Sequence, residues 1–353
     1  MNLILGIETS CDDTSAALLT DGGRVLSSVV ASQLEVHAPY GGVVPELASR
    51  HHLENLPGTV AAALAKAGAE ESDLSAVAAT AGPGLLGSLL VGLSYAKTLA
   101  WGLGLPLFTV NHVEAHLRSP WIEHPDLPYP ALSLAVSGGH SHLFFCASPR
   151  QIRLVAGTRD DAAGEALDKL AKHLHLPYPG GPVLDRLAPR GNPKALSFSL
   201  PKMSTGSLDY SFSGLKTAAL HYLRTRALIP SAVSDLDQLP SWEYDLVASF
   251  QKRVVDHLLQ RMKRAALLLK PRSLTMAGGV ACNSLLRNRL LSLGEELGLP
   301  AAFPSPSLCT DNAAMVAFRA LDLLRSREAA PPEVDAFPTA HWQSVDRAPR
   351  PSC

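Results

Sequence analysis

Apolar runs along the chain alternate with short polar turns, and the alternation comes twice. Residues 3–19, LILGIETSCDDTSAALL, run apolar, small polar turn, apolar, which predicts two strands joined by a tight turn. The stretch 131–146, ALSLAVSGGHSHLFFC, has the same layout. A second kind of unit follows each hairpin. Residues 78–110, AATAGPGLLGSLLVGLSYAKTLAWGLGLPLFTV, read as strand, glycine turn, apolar helix, Gly-Leu-Pro stop and strand. Residues 273–304, SLTMAGGVACNSLLRNRLLSLGEELGLPAAFP, repeat that order at nearly the same length. Two unit types recurring in one order predict an internal duplication.

The copies differ in length. From hairpin turn to glycine turn the first spans 73 residues (Thr9 to Gly82) and the second 141 (Ser137 to Gly278), a surplus of 68. The surplus is placed between about 185 and 265, where SGLKTAALHYLRTRAL and YDLVASFQKRVVDHLLQRMKRAALLL carry helical periodicity. The expected architecture is α/β, with two duplicated lobes sharing a cleft and a helical insertion in the second. The first lobe is expected over 1–111 and the second over 112–305. A helix at 306–327 then returns to the first lobe, and a proline-rich, loosely docked or disordered tail occupies 328–353. At 353 residues the chain is long enough for two cores.

Composition narrows the class. A formal net charge of −1 gives no global field toward nucleic acid or an anionic membrane, so any such contact must be local. Five scattered cysteines without a CxxC pair argue against a disulfide framework and a thiolate zinc site, and fit a reducing, cytosolic compartment. The opening MNLILGIETS lacks the basic start of a signal peptide. Residues 81–110 are the most membrane-like, but Lys97, Pro83 and several glycines favour a buried soluble helix.

The candidate chemistry lies on the turns. Backbone N–H groups at glycine turns and helix starts bind phosphate, so two duplicated lobes with such turns suit a nucleotide. Singly, SGGH or AGGV fits an ordinary turn; their repetition in order favours the nucleotide. Residues 8–15 gather Glu8, Asp12 and Asp13, either as solvated turn formers or as holders of a metal or water near phosphate, with Asp12 the inward candidate. Asp160 and Asp161 suit the N-cap and first turn of the helix that follows them. Asp168 is either a surface charge or a ribose-hydroxyl acceptor. Gly180 and Gly181 open a helix carrying Asp185, and Asn283 either caps its helix or meets a base or ribose. His112 and His116 share one helical face at i, i+4 and can share a divalent ion, or are two ordinary histidines. Glu114 stands about 200° round the helix from His112 and points away, unlike the base of an H-E-x-x-H peptidase. Asp311 opens the last helix, and spacing alone does not join it to the histidines. Nine Lys or Arg against Asp256 within 251–294 leave a local excess of +8, a solvated face or a phosphate-contacting one.

Together GIETSCDDTSAAL, HAPYGGVVPELASRHHLENL, AGPGLLGSLLVGLSYAK, NHVEAHL, SGGHSHL, DDAAGEALDK, YPGGPVLDRLA, YSFSGLKTA, AGGVACNSLLR and CTDNAAM resemble the tRNA adenosine threonylcarbamoyltransferase family of bacterial TsaD type, in register from about residue 3 to 325. The resemblance implies the two-lobed actin, Hsp70 and sugar-kinase (ASKHA) fold. It implies transfer of a threonylcarbamoyl group from threonylcarbamoyl-AMP to the exocyclic amine of adenosine 37, in tRNAs that read codons beginning with A, with release of AMP. It further implies His112, His116 and Asp311 as ligands of one divalent ion per subunit, Fe(2+) foremost, with Zn(2+) or Mg(2+) as alternatives. Contacts to the adenylate are implied for Ala135, Val136, Ser137, Gly138, Gly139, Asp168, Gly181, Asp185 and Asn283, and partners in the form of a TsaB-like paralogue and a TsaE-like ATPase. Three motifs depart from the usual pattern: CDDT for CDET, Ala115 for Gly in NHVEAH, and SGGHSHL for SGGHTQL; none removes an implied ligand. The rival readings are a metallopeptidase (glycoprotease), which wants a base carboxylate beside the first histidine, and a non-catalytic nucleotide-binding partner subunit, which would lack the histidine pair.

Overall fold

The computed structural model describes residues 2–199, 207–226, 236–326, 328–331, 333–340 and 342, which fall into two compact units. The first comprises Met1–Asp126 and Phe303–Ala340, the second Leu127–Ala302 with the C-terminal end. In the first, β1 (Leu3–Glu8), β2 (Asp13–Thr20) and β3 (Val25–Ser32) form an antiparallel meander. α1 (Pro45–Ala67) then leads to β4 (Leu74–Gly82), α2 (Leu86–Leu103), β5 (Leu107–Asn111) and α3 (His112–Arg118). β4 lies parallel to β1 and β5 parallel to β4, so the sheet order is β3-β2-β1-β4-β5.

The second unit repeats this plan strand for strand. β6 (Ala131–Val136), β7 (Ser141–Ser148) and β8 (Gln151–Gly157) form the meander; β9 (Ser273–Ala277) and β10 (Ala301–Ala302) add in parallel, giving β10-β9-β6-β7-β8. Between β8 and β9 run α4 (Ala163–His173), α5 (Gly180–Leu187), α6 (Ser213–Thr225) and α7 (Ser241–Leu269), and α8 (Ser284–Leu297) joins β9 to β10. The helices expected in the insertion are α6 and α7, and the expected positions 200–206 and 227–235 lie outside the described residues. Last, α9 (Ala313–Arg325) belongs to the first unit.

Strand parity sorts the first sheet into two faces. Leu3, Leu5 and Ile7 of β1, with Val77 and Ala79 of β4, pack against Leu56, Val60, Leu93 and Ala96 of α1 and α2. Ile4, Ala76 and Ala78 face the other way, toward Met315, Val316, Ala317 and Ala320 of α9 and Ala115 of α3. Gly6 shares that second face, and a Cβ there would lie 2.4 Å from the Ala313 carbonyl oxygen, so only glycine lets α9 settle so close to β1. Glu8 and Thr80 continue the same alternation at the ends of β1 and β4.

The division between units falls after Asp126, not at residue 111 as expected. Asn111 ends β5 and caps α3 directly, its side chain accepting the N–H groups of Val113 and Glu114 at 2.9 and 3.1 Å. Ion pairs then tie α3 to α9, Arg118 to Asp322 (2.7 Å) and Arg319 to Glu114 (2.7 Å), while Arg319 also meets Asp322 within α9 (3.2 Å). The chain after 327 is docked where it is described. Ala330 N–H donates to Leu107 O, Phe337 N–H to Ala81 O, and Lys97 reaches the Val334 carbonyl; positions 343–353 of the expected tail lie outside the described residues. Among the described residues no helix is long and apolar enough to cross a membrane.

Asp160 and Asp161 do not cap α4 as expected. The residue before α4 is Ala162, without a side-chain cap, and Ser141 Oγ takes the Ala163 N–H at 2.9 Å instead. Asp160 turns to α6, accepting the N–H groups of Phe212 and Ser213 at 2.8 and 3.3 Å, while Asp161 pairs with Lys169 and Lys216. Beside them His257 stands edge-on to Tyr210 and Phe212, and its Nε2 accepts the Ser211 N–H at 3.3 Å. Burial, then the charges of Arg261 and Arg253, push its pKa down to about 4.

Two outcomes follow from this packing. Gly6→Val is expected to lower stability by about 1–3 kcal/mol in urea unfolding, since β1 and α9 must part. His257 is neutral in the native state and titrates near 6.5 when unfolded, so its stabilisation is whole above pH 6.5 and is lost as pH falls toward 4. Stability curves of wild type and His257→Gln should diverge across that window by roughly 3 kcal/mol.

Candidate functional site

β5 delivers Asn111 as a cap, and the first residue of the helix it starts is His112. One turn on comes His116, the ring centroids 4.7 Å apart and nearly perpendicular. Asp311 precedes Asn312, whose side chain caps α9 by accepting the Met315 N–H at 2.9 Å. Because α9 rests on Gly6, the Asp311 carboxylate reaches both rings: Oδ1 lies 2.9 Å from His116 Nε2 and 3.6 Å from His112 Nε2. Both histidines are buried, Asp311 is partly exposed, and the ligand atoms of the three lie within 4.8 Å of one another.

Behind this cluster sits Glu8, with no exposure at all. Its Oε2 is 3.1 Å from His112 Nδ1 and accepts the Thr80 hydroxyl at 2.6 Å, and its Oε1 accepts the Ser10 N–H at 2.6 Å. Ser10 Oγ is 3.0 Å from the same His112 nitrogen. Burial alone would raise the Glu8 pKa and lower that of His112; their attraction reverses both, holding Glu8 below the usual carboxylate range and lifting His112 to about 9. On the neighbouring turn Asp13 is pushed up to about 7, first by burial and then by the charges of Asp311, Asp12 and Glu8, against a hydrogen bond from Ser32. Asp12 is partly exposed there. The pocket of carboxylates thus favours added positive charge, and two imidazoles with one carboxylate suit a first-row divalent ion. The residues fit a metal centre.

Sequence reading placed Glu8 in the polar turn 8–15 with Asp12 as its inward member, did not join Glu8 to His112, and missed Thr80. A carboxylate at the end of an otherwise wholly apolar strand, LILGIE, was the available signal. Glu114, by contrast, is held by Arg319 through both Nε and Nη2, which leaves α3 without a free base carboxylate.

The remaining candidates lie in the second unit. The turn Ser137–Gly139 joins β6 to β7, with Gly138 and Gly139 exposed and open space where a Cβ would be. Gly278, at φ 99°, lies against Val136, so the second glycine turn abuts the first. Asp168 is not a surface charge: its Oδ1 accepts the N–H groups of Gly180 and Gly181 at 2.8 and 3.2 Å and so caps α5, while burial pushes its pKa up against those bonds. Asn283 caps α8 by accepting the Leu286 N–H and also donates Nδ2 to Asp185 Oδ1 at 2.9 Å. Asp185 takes the Ser284 N–H, the Ser284 hydroxyl and Gln251 Nε2 as well. Ala135 and Val136 end β6, buried. Gln251 and Ser284 are members of this polar set that sequence reasoning missed.

The family model described as TsaD, tRNA N6-adenosine threonylcarbamoyltransferase, matches residues 24–318. The tRNA N6-adenosine threonylcarbamoyltransferase of Moorella thermoacetica is 49% identical over 335 residues, 95% of this chain and 96% of that one. The chain belongs to this family. The enzyme of the same description from Geotalea uraniireducens is 46% identical over 343 residues, 97% of each chain. Among solved structures, T. kodakarensis HypF superposes with a TM-score of 0.62 at 14% identity, over 92% of this chain and 48% of that one. Component A of the Acidaminococcus fermentans (R)-2-hydroxyglutaryl-CoA dehydratase gives 0.54 at 14% identity, over 92% and 99%. These likenesses are of fold, and with the twice-used sheet they make the architecture of this TsaD family member that of the ASKHA class.

In this TsaD-family chain the cationic stretch 251–294 is largely engaged with the protein's own acceptors. Lys252 and Arg289 share Asp256, Lys263 pairs with Glu296, Arg261 donates to Ser207 O and Arg287 to Ala281 O. Arg264 and Lys270 are exposed.

The ion pairs under the metal cluster yield an expected outcome. Asp322→Ala takes the carboxylate from the buried Arg118 and one of the two carboxylates from Arg319, and should cost about 3–5 kcal/mol in denaturant unfolding; a change under 1 kcal/mol would contradict this account.

Proposed function

We propose that the chain modifies tRNA, transferring the threonylcarbamoyl group of threonylcarbamoyl-AMP to the exocyclic amine of adenosine 37, in tRNAs that read codons beginning with A, and releasing AMP. The observation that carries this is the His112–His116–Asp311 cluster, assembled in a chain whose relatives bear that name. We assign His112, His116 and Asp311 as ligands of one divalent ion. Two histidines and one carboxylate favour Fe(2+) over Zn(2+) or Mg(2+). Such an ion, when bound, supplies positive charge for donor phosphate and carbonyl oxygens.

An aromatic exocyclic amine is a poor nucleophile, so the donor must be a mixed anhydride whose AMP leaves readily. The chain's own task is then to hold both reactants and neutralise growing negative charge. The Ala135–Gly139 turn and Gly181 are assigned to the adenylate, supported by the exposed backbone at Gly138 and Gly139. Asp168, Asp185 and Asn283 are assigned to the adenylate, supported by the hydrogen bonds that fix their orientation, from the Gly180 and Gly181 N–H groups to Asp168 and from Asn283 to Asp185. Asp12, beside the cluster and partly exposed, is assigned to orient water or accept the amine proton. A TsaB-like paralogue and a TsaE-like ATPase are proposed as partners in the cytoplasm. Leu86, Leu90 and Trp101, exposed on α2, support an apolar docking face for the paralogue.

Reconstitution with tRNA, threonine, bicarbonate, ATP and those partners is the test. Wild type should form threonylcarbamoyladenosine, and His112→Ala should lose about a hundredfold or more in rate. Equal rates would remove the cluster from the reaction, and product absent from wild type would overturn the assignment.

A further inference from the structure

We infer that Glu8 is the positioning carboxylate of the metal centre, the group that sets which nitrogen of His112 faces the ion. This rests on the metal-centre reading above. An imidazole binds a metal through one nitrogen, and the partner of the other nitrogen fixes the ring's tautomer and angle. At His112 the two nitrogens have separate surroundings. Nε2 faces Asp311 and Nδ1 faces Glu8 Oε2 at 3.1 Å, with Ser10 Oγ at 3.0 Å. A carboxylate only accepts, so Nδ1 carries a proton toward Glu8, and Nε2, on the cluster side, is the nitrogen whose lone pair a bound ion would take in place of a proton. Glu8 cannot swing away: it is wholly buried, and the Thr80 hydroxyl and Ser10 N–H hold its two oxygens.

The two ligand histidines differ in this respect. His116 Nδ1 is buried and has no hydrogen-bond partner among the described residues. His112 is therefore oriented from behind by the sheet, while His116 is oriented by its helix, by Asp311 and by the edge of the His112 ring. The geometry also explains why a carboxylate stands on a strand that is otherwise apolar. Its parity directs it to the α9 face, where an unpaired charge would be costly and a histidine-bound one is not.

The experiment is zinc affinity by competition with a chelator, on the full-length chain, with Glu8→Gln and Thr80→Val. Glu8→Gln keeps the shape but offers a neutral amide, and should weaken zinc binding about ten- to a hundredfold while uptake stays at one ion. Thr80→Val removes one anchor of Glu8 and should weaken binding by less, which keeps the test open should Glu8→Gln fail to fold. In the zinc-loaded wild type labelled with 15N at histidine, His112 should show a strongly hydrogen-bonded Nδ1–H, absent in Glu8→Gln. Unchanged affinity in both variants, or a His112 bound to zinc through Nδ1, overturns the role of Glu8 alone. A wild-type chain that takes up no metal overturns the metal centre and this role with it.

Discussion

The close seating of α9 on β1 at Gly6 is the constraint on which the first unit depends. It closes the second face of the sheet over Ile4, Ala76 and Ala78, and it carries Asp311 to within hydrogen-bond reach of His116. The same approach needs a charge-balanced contact with α3, which Arg118, Arg319, Asp322 and Glu114 provide out of water. Neither feature belongs to the chemistry, yet without both the three candidate ligands would not converge. Packing and the candidate site are thus one problem solved together, and small shifts in the helix would be read directly as changes in the geometry of His112, His116 and Asp311.

The second unit uses carboxylates differently. Asp160, Asp168 and Asp185 each satisfy the start of a helix they do not belong to: α6, α5 and α8 in turn. A remote acid at a helix start meets free N–H groups and the positive end of the dipole at once. It also cross-links segments distant in sequence, which suits an insertion whose helices must be held to a duplicated sheet. Residues assigned to the ligand are therefore already ordered by bonds to the protein, and the cost of fixing them falls on folding and not on binding.

Much of this was legible in the sequence because repetition is a strong signal. Hairpins at 3–19 and 131–146 and the strand–helix–strand units at 78–110 and 273–304 map onto β1–β2, β6–β7, β4–β5 and β9–β10 in equivalent sheet positions. The i, i+4 spacing placed His112 and His116 on one face, and Glu114 off it. What spacing could not supply was contact between distant segments. Asp160 looks like a local cap and is a remote one; Asp168 looks half exposed and is inward; the cationic run looks like a free surface and is mostly paired within the fold. Each error has one cause, that a charged residue's partner is set by tertiary neighbours and not by periodicity.

The first unit is discontinuous: its sheet is encoded before residue 112 and the helix that covers one face of it comes after residue 302. A ribosome therefore completes every strand of that sheet, and then residues 127–302 of the second unit, before α9 emerges. Until then Ile4, Ala76, Phe108 and the Glu8 carboxylate stand on an uncovered face, and His116 waits for Asp311. Synthesis order lets the sheet of the second unit, encoded within residues 127–302, close before α9 is made. The three candidate ligands are assembled only as the last stretch of chain is released, so a nascent or truncated product ending before that helix cannot bring them together.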